Sequence, residues 1–270
     1  MTDPADAGRI LSADDPLDES AESAEAVDER SRMSFLDHLD ELRRRILYSL
    51  YAVIAACAVT FYFWDQMFLY LAGYFQAHGG ELIYTRPMGA FMFSLKVGVL
   101  AGLLAASPFV FSQLWLFVAP GLYAREKRVV VPFVFLSSLL FGGGVAFGHL
   151  VAFPSMWKFF SSFEGMGGLR FLPTIDDVFA FYTRILLALG LVFQMPVLVY
   201  FLARFNIVTA RFMWKQFKYA VLFIFILAAA ITPSPDMVTQ AVFAAPMLLL
   251  YLVSIGVAWV VGRRRPAKES

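Results

Sequence analysis

Met33-Ser34-Phe35-Leu36-Asp37-His38-Leu39-Asp40-Glu41-Leu42-Arg43-Arg44-Arg45-Ile46-Leu47-Tyr48-Ser49-Leu50 separates an acidic N-terminal segment from a chain that is apolar almost throughout. Ser34 followed by Asp37 predicts a capped helix start, since hydroxyl and carboxylate can accept from unpaired amides of a first turn. Phe35, Leu39, Leu42 and Ile46 recur at steps of four, three and four, which places them on one helical face. Asp37, Asp40 and Glu41 come early and Arg43, Arg44 and Arg45 late, the order that the helix dipole favours. An amphipathic helix therefore leads directly into a hydrophobic span, and it carries the carboxylate of Glu41.

Of the 270 residues, 60% are hydrophobic and 16% charged, against about 45–50% and 25% in a soluble domain. The apolar residues arrive in long blocks, so the class is a polytopic, all-α membrane protein. The net charge of +1 conceals an asymmetry: 13 of the 21 acidic residues precede Leu42, whereas basic residues flank the apolar blocks. One cysteine, Cys57, excludes a disulfide framework and a cysteine metal site. No basic domain or aromatic-basic module supports nucleic-acid binding.

Residues 1–32 hold ten acidic residues and no aromatics; such a composition cannot bury a core and reads as a disordered acidic tail. Apolar spans follow at about residues 46–64, 92–118, 129–153, 178–202, 219–231 and 238–261. Arg43 to Arg45 ahead of Ile54-Ala55-Ala56-Cys57 loosely resembles a lipoprotein signal, but the apolar run continues past Cys57 and further spans follow. In the second span Ser94, Gly98, Gly102 and Ala106 make a small-residue stripe on which another helix can pack, and Pro108 predicts a kink. Gly142 to Gly144 and Gly148 offer a similar surface in the third. Pro154 is read as the breaker that ends it. Thr174 or Asp176 can cap the fourth. The fifth apolar run is only about 20 Å of helix against a hydrocarbon core of about 30 Å.

Orientation follows from the basic residues beside the spans. Fourteen lie on one side: Arg43 to Arg45; Arg125, Lys127 and Arg128; Arg204, Arg211, Lys215 and Lys218; and Arg263 to Arg265 with Lys268. The opposite side has Arg86, Lys96, Lys158, Arg170 and Arg184. Six spans with both termini in the cytoplasm are expected.

Several stretches now resemble one family. Phe35-Leu36-Asp37-His38-Leu39-Asp40-Glu41-Leu42-Arg43-Arg44-Arg45 is similar to the entry of TatC proteins, the six-span signal-reading subunits of the twin-arginine translocase. Gln113-Leu114-Trp115-Leu116-Phe117-Val118-Ala119-Pro120-Gly121-Leu122-Tyr123 with Glu126-Lys127-Arg128 agrees, as do Phe193-Gln194-Met195-Pro196 and Thr232-Pro233-Ser234-Pro235-Asp236. The resemblance covers residues 33–262, leaving 263–270 as a basic cytoplasmic tail. It implies a bacterial inner-membrane receptor, not an enzyme, that binds twin-arginine signal peptides of folded cargo. It also implies a scaffold for single-span TatA/TatB-type subunits, homo-oligomeric within its complex, without cofactor or metal. The short fifth helix would then help form a concave groove, because a helix shorter than the bilayer must thin it or leave a notch.

The same resemblance places Glu41, Arg43 and Arg45 in a cytoplasmic signal-peptide site. From the residues alone, Glu41 is equally an i, i+4 partner of Arg45. Glu126, the sole acid of its loop, joins that site by resemblance, and the chemistry suits it: a guanidinium offers a planar fork that a carboxylate accepts in bidentate fashion. Two adjacent arginines on a ligand call for two separated carboxylates. Phe117 matches a family position of the same site, and it also reads as a packing aromatic. Gln194 stands where TatC proteins often have a glutamate facing partner subunits. It keeps hydrogen-bonding capacity but no charge, and an internal hydrogen bond beside Pro196 is its plainer reading. Asp236 reads as a cap for the sixth span, with an assembly role by resemblance. Lys96 and Arg184 read as snorkelling at span ends, and His149 as structural.

The other class considered is a small-solute secondary transporter with a midplane site near Gln194. Such a protein normally has discontinuous helices carrying ionisable residues, and only Gln194 is strongly polar at depth. No metalloprotease, serine-hydrolase or phosphate-loop motif is present.

Overall fold

The computed structural model describes residues 16–79, 82–118, 127–164, 171–232 and 237–263, and among them the architecture is all-helical. The helices are α1 (Pro16–Tyr62), α2 (Trp64–Gly79), α3 (Gly89–Val118), α4 (Lys127–Phe147), α5 (Phe153–Ser161), α6 (Ile175–Val192), α7 (Met195–Arg204), α8 (Ala210–Lys215), α9 (Phe217–Ile231) and α10 (Met237–Arg263). The chain divides into two units, Met1–Tyr48 and Ser49–Ser270.

Five helical segments are long and apolar enough to cross a membrane: His38–Tyr62, Gly89–Phe117, Val131–Ser161, Ile175–Arg204 and Met237–Gly262. The short apolar run is α9, 15 residues, or about 22 Å of axis.

Two expectations need correction. Helix α1 does not begin at Ser34 but at Pro16, inside the segment read as disordered. Residues 16–32 are rich in Ala and Glu, strong helix formers, so the turn preceding Ser34 is already helical and no cap is needed there. The third span does not end at Pro154. A π-turn at Gly148–Ala152, in which the Phe153 amide donates to the Gly148 carbonyl, hands α4 on to α5. Proline is tolerated in the first turn of a helix, and Pro154 occupies that position in α5. The fourth span is two helices, α6 and α7, because Pro196 has no N–H for the preceding turn and the chain loosens at Phe193 and Gln194. Pro108, by contrast, stays within α3. It cannot serve the Leu104 carbonyl, and the Ser107 hydroxyl donates to that oxygen instead, at 2.7 Å.

Small residues set the closest helix contacts. Helix α1 lies along the α3 stripe: the Thr60 hydroxyl donates to the Gly98 carbonyl at 2.8 Å, and a Cβ on Gly102 would come within 2.7 Å of the Cys57 Cα. Helices α4 and α6 meet at Gly144 and Gly190. A Cβ on Gly144 would sit 2.6 Å from the Leu189 carbonyl oxygen, and one on Gly190 2.6 Å from the Phe141 ring. Lipid offers no hydrophobic drive to bring helices together, so such contacts carry the association through dispersion.

Aromatic side chains fix α2 against this bundle. Phe75, Phe93 and Phe153 are fully buried, with the Phe75 ring 5.2 Å from those of Phe153 and Tyr182 and Phe93 edge-on to Phe179 at 5.2 Å. His149, in the π-turn, shares hydrogen bonds with Tyr182 at 3.0 Å and Tyr70 at 3.2 Å. Its ring stacks on Tyr74, whose hydroxyl donates to the His149 carbonyl. This accounts for a histidine at that depth: it ties α2 and α6 to the turn. Burial, reinforced by Tyr70, pushes the Tyr74 phenol up to about 12. The flanking connections are joined by a parallel bridge of Ile83 with Thr174.

Candidate functional site

Glu41 lies on α1, where the Arg45 guanidinium donates to its Oε1 at 3.2 Å. The pair is part-exposed, with 30% of the Glu41 side chain and 26% of the Arg45 side chain accessible. This is the i, i+4 geometry of an α-helix, worth about 0.2–0.5 kcal/mol. The contact is monodentate, and an ionised carboxylate offers about four lone-pair positions. Among the described residues, most of the acceptor capacity of Glu41 is thus left to a second cation. Arg43 is exposed. Arg44 turns toward Tyr48, donating from Nε to the phenol at 3.0 Å with its guanidinium 5.6 Å from the ring centre. Asp40, Glu41, Arg44 and Arg45 border a cavity of about 360 Å³, so acid and base alternate around one opening. Glu126 and Asp236 lie outside the described residues.

Phe117 is half-buried one residue before the end of α3. Two residues earlier, Trp115 stacks on Phe201 of α7 with centroids 4.3 Å apart. Its indole N–H donates to the Ser137 hydroxyl of α4 at 2.9 Å. Ser137 is fully buried, and its carbonyl receives the Gln194 Nε2 at 2.9 Å. Gln194 precedes α7 at the break in the fourth span, and Pro196, buried, is the residue that makes the break. The internal hydrogen bond expected beside Pro196 is therefore present. It uses one of the amide's two donors.

Ser137 is the residue that the pattern of the chain does not reveal. It joins Trp115 and Gln194, and hence α3, α4 and the start of α7, through one side chain and one carbonyl. A Ser-Ser pair in an otherwise apolar span is its only trace, since a serine in lipid needs a partner.

Two charged residues also settle. Lys96 does not snorkel: its ammonium lies 2.7 Å from the Asp176 carboxylate and joins α3 to the first turn of α6. Thr174 provides the cap of α6, accepting from the Asp177 amide at 3.2 Å, which leaves Asp176 to Lys96. Arg184 is exposed on α6.

Similarity to known proteins agrees with this arrangement. The family model of the Sec-independent protein translocase protein (TatC) matches residues 37–246. The TatC protein of Koribacter versatilis is 41% identical over 244 residues, covering 84% of this chain and 88% of its own. That of Helicobacter pylori strain J99 is 39% identical over 221 residues, covering 81% and 86%. A crystal structure of the twin-arginine translocase receptor TatC superposes with a TM-score of 0.71 at 31% identity, over 83% of this chain and 99% of that one. The chain belongs to the TatC family of Sec-independent protein translocase proteins.

Proposed function

We propose that this chain is the subunit that recognises twin-arginine signal peptides of folded cargo, with Glu41 and Glu126 each accepting one guanidinium. The observation that carries the reading is the state of Glu41. It is part-exposed, held among the described residues by one monodentate contact with Arg45, and set where a helix enters the membrane. A fork-shaped cation can take the remaining lone pairs without breaking a buried pair. Arg43 and Arg45 keep the helix at the interface and temper the charge beside Glu41. Phe117 meets the apolar part of the signal peptide in this reading.

In this reading both termini and the basic loops are cytoplasmic, as the excess of Lys and Arg on that side supports. Residues 1–32 are an acidic tail, residues 33–262 the translocase domain and residues 263–270 a basic tail. Single-span subunits dock near Gln194 and Pro196, with Asp236 assisting assembly, and copies of the receptor associate within one complex. The short α9 supports a groove suited to another hydrophobic helix.

Binding of a twin-arginine peptide, compared with its twin-lysine version, to the detergent-solubilised protein tests the proposal. A lysine ammonium is a point charge and cannot make the forked contact, so the twin-lysine peptide should bind at least tenfold more weakly. Glu126→Gln and Glu41→Gln should remove that discrimination at unchanged protein level. Equal binding of the two peptides, or full discrimination in both variants, would refute the assignment.

A further inference from the structure

Helix α7 ends in Arg204, with Tyr200 four residues earlier on the same face. On α10, Val253, Gly256, Val257, Val260 and Val261 follow one another at steps of three, one, three and one, a single stripe of that helix. These two faces border a cavity of about 630 Å³. Gly256 borders open space: a Cβ at that position meets nothing within 4 Å. Val253 and Val260 are 46% and 45% exposed, so the valine stripe is not sealed by the protein.

The two ends of the cavity differ chemically. Arg204 and Tyr200 are at the end of the bundle where α7 and α10 both terminate, α10 in Arg263. Tyr200 is steadied by ring contacts with Phe133 at 4.6 Å and Phe201 at 5.2 Å. From there the stripe runs back over about 12 Å of helix axis. One leaflet of a bilayer has about 15 Å of hydrocarbon. A guanidinium fork at the interface, a phenol beside it and an apolar channel of leaflet depth fit an anionic phospholipid from headgroup to acyl chain. A partner helix fits less well, because it is about 10–12 Å wide and would find only about two turns of groove.

We propose that the cavity between α7 and α10 is a binding site for an anionic phospholipid. The phosphate is taken by Arg204 with the Tyr200 hydroxyl, and one acyl chain lies along Val253, Gly256, Val257 and Val260. The site shares no residue with the Glu41 pair or the Gln194 hydrogen bond, and it requires no particular signal peptide or partner.

The test uses the full chain, purified and exchanged into mixed phosphatidylglycerol and phosphatidylcholine, with retained lipid counted by native mass spectrometry. The wild type should hold one phosphatidylglycerol in preference to phosphatidylcholine. Arg204→Gln should lower that retention about fivefold. Gly256→Leu should abolish it by filling open space, at an unchanged melting temperature. Arg211→Gln, a change on α8 outside the cavity, should behave as wild type. Equal retention of both lipids by the wild type, or wild-type retention by both Arg204→Gln and Gly256→Leu, would overturn the proposal. Displacement of the lipid by millimolar glycerol phosphate would show a headgroup site without the chain contact and would overturn it too. So would a photo-crosslinking side chain at position 257 that captures a single-span protein, rather than lipid, in native membranes.

Discussion

Replacing Gly144 by Ala places one methyl group between α4 and α6. Its Cβ would lie 2.6 Å from the Leu189 carbonyl oxygen and 2.9 Å from the Gly190 Cα. Both obstacles are backbone, so no rotamer change relieves them, and the helices must part by roughly 1 Å to regain van der Waals distance. Overpacking of this kind costs about 1–3 kcal/mol. A Gly-to-Ala change also gains about 0.5–1 kcal/mol of helix propensity, which blurs the effect of one variant alone. Gly142→Ala provides the reference, since its added Cβ meets nothing within 4 Å and it takes the propensity gain without the clash. The difference between the two variants is therefore about 1–3 kcal/mol, or about 3–10 °C in melting temperature at this size. Thermal melting of the purified variants by tryptophan fluorescence measures it. Gly143→Ala, whose Cβ would be 3.9 Å from the Phe193 ring, should fall with Gly142→Ala. A Gly144→Ala protein that melts with or above Gly142→Ala would show that α4 and α6 are not in backbone contact, and the close-packing argument would fail.

Gln194→Leu removes the donor to the Ser137 carbonyl and should cost about 0.6–2 kcal/mol. In crosslinking it should reduce association with single-span subunits more than binding of signal peptide, and equal loss of both would reduce Gln194 to a fold-holding role. Arg45→Gln breaks a part-exposed i, i+4 pair, so loss of that pair should leave the melting temperature within about 2 °C of wild type; a larger drop would mean that Arg45 supports the fold. The Tyr74 phenol, raised to about 12 mainly by burial, is protonated more readily in the folded chain than in the unfolded one. Its contribution to stability is complete below pH 10 and is lost as the pH rises from about 10 to about 12. Alkaline denaturation of Tyr74→Phe should lack that component, and identical curves for the two proteins would refute the raised value.

Signals that act within one segment were legible in the sequence. The apolar runs identified the spans, and the spacing of Gly98 and Gly102 identified the surface that receives α1. The charge order around Glu41 and Arg45 anticipated their pair, and Thr174 was one of two candidates, with Asp176, for the cap that it makes. What depends on a distant partner was not legible. Lys96 has the same local pattern whether it snorkels or meets Asp176, and Ser137 gains its meaning from Trp115 and Gln194 on other helices. Proline misled at Pro154, because it removes one donor but leaves open how the neighbouring carbonyls are rescued. At Pro108 a serine hydroxyl does so, whereas at Pro154 the ladder shifts to a π-turn. The start of α1 was missed because composition reports the lack of a core and not local helix propensity.

The seam between α1 and α3 has a consequence for biogenesis. The first span has none of its most apolar window buried in the rest of the protein, and its attachments at Thr60 and Cys57 reach residues 38 and 42 positions further along the chain. At about 5–20 residues per second, a ribosome takes roughly 2–8 s to deliver that partner. During this interval the first span stands in the bilayer as a lone hydrophobic helix with a half-exposed thiol. Insertion of the second span then closes the seam, so a newly made receptor joins its first and second spans before the later spans have been delivered.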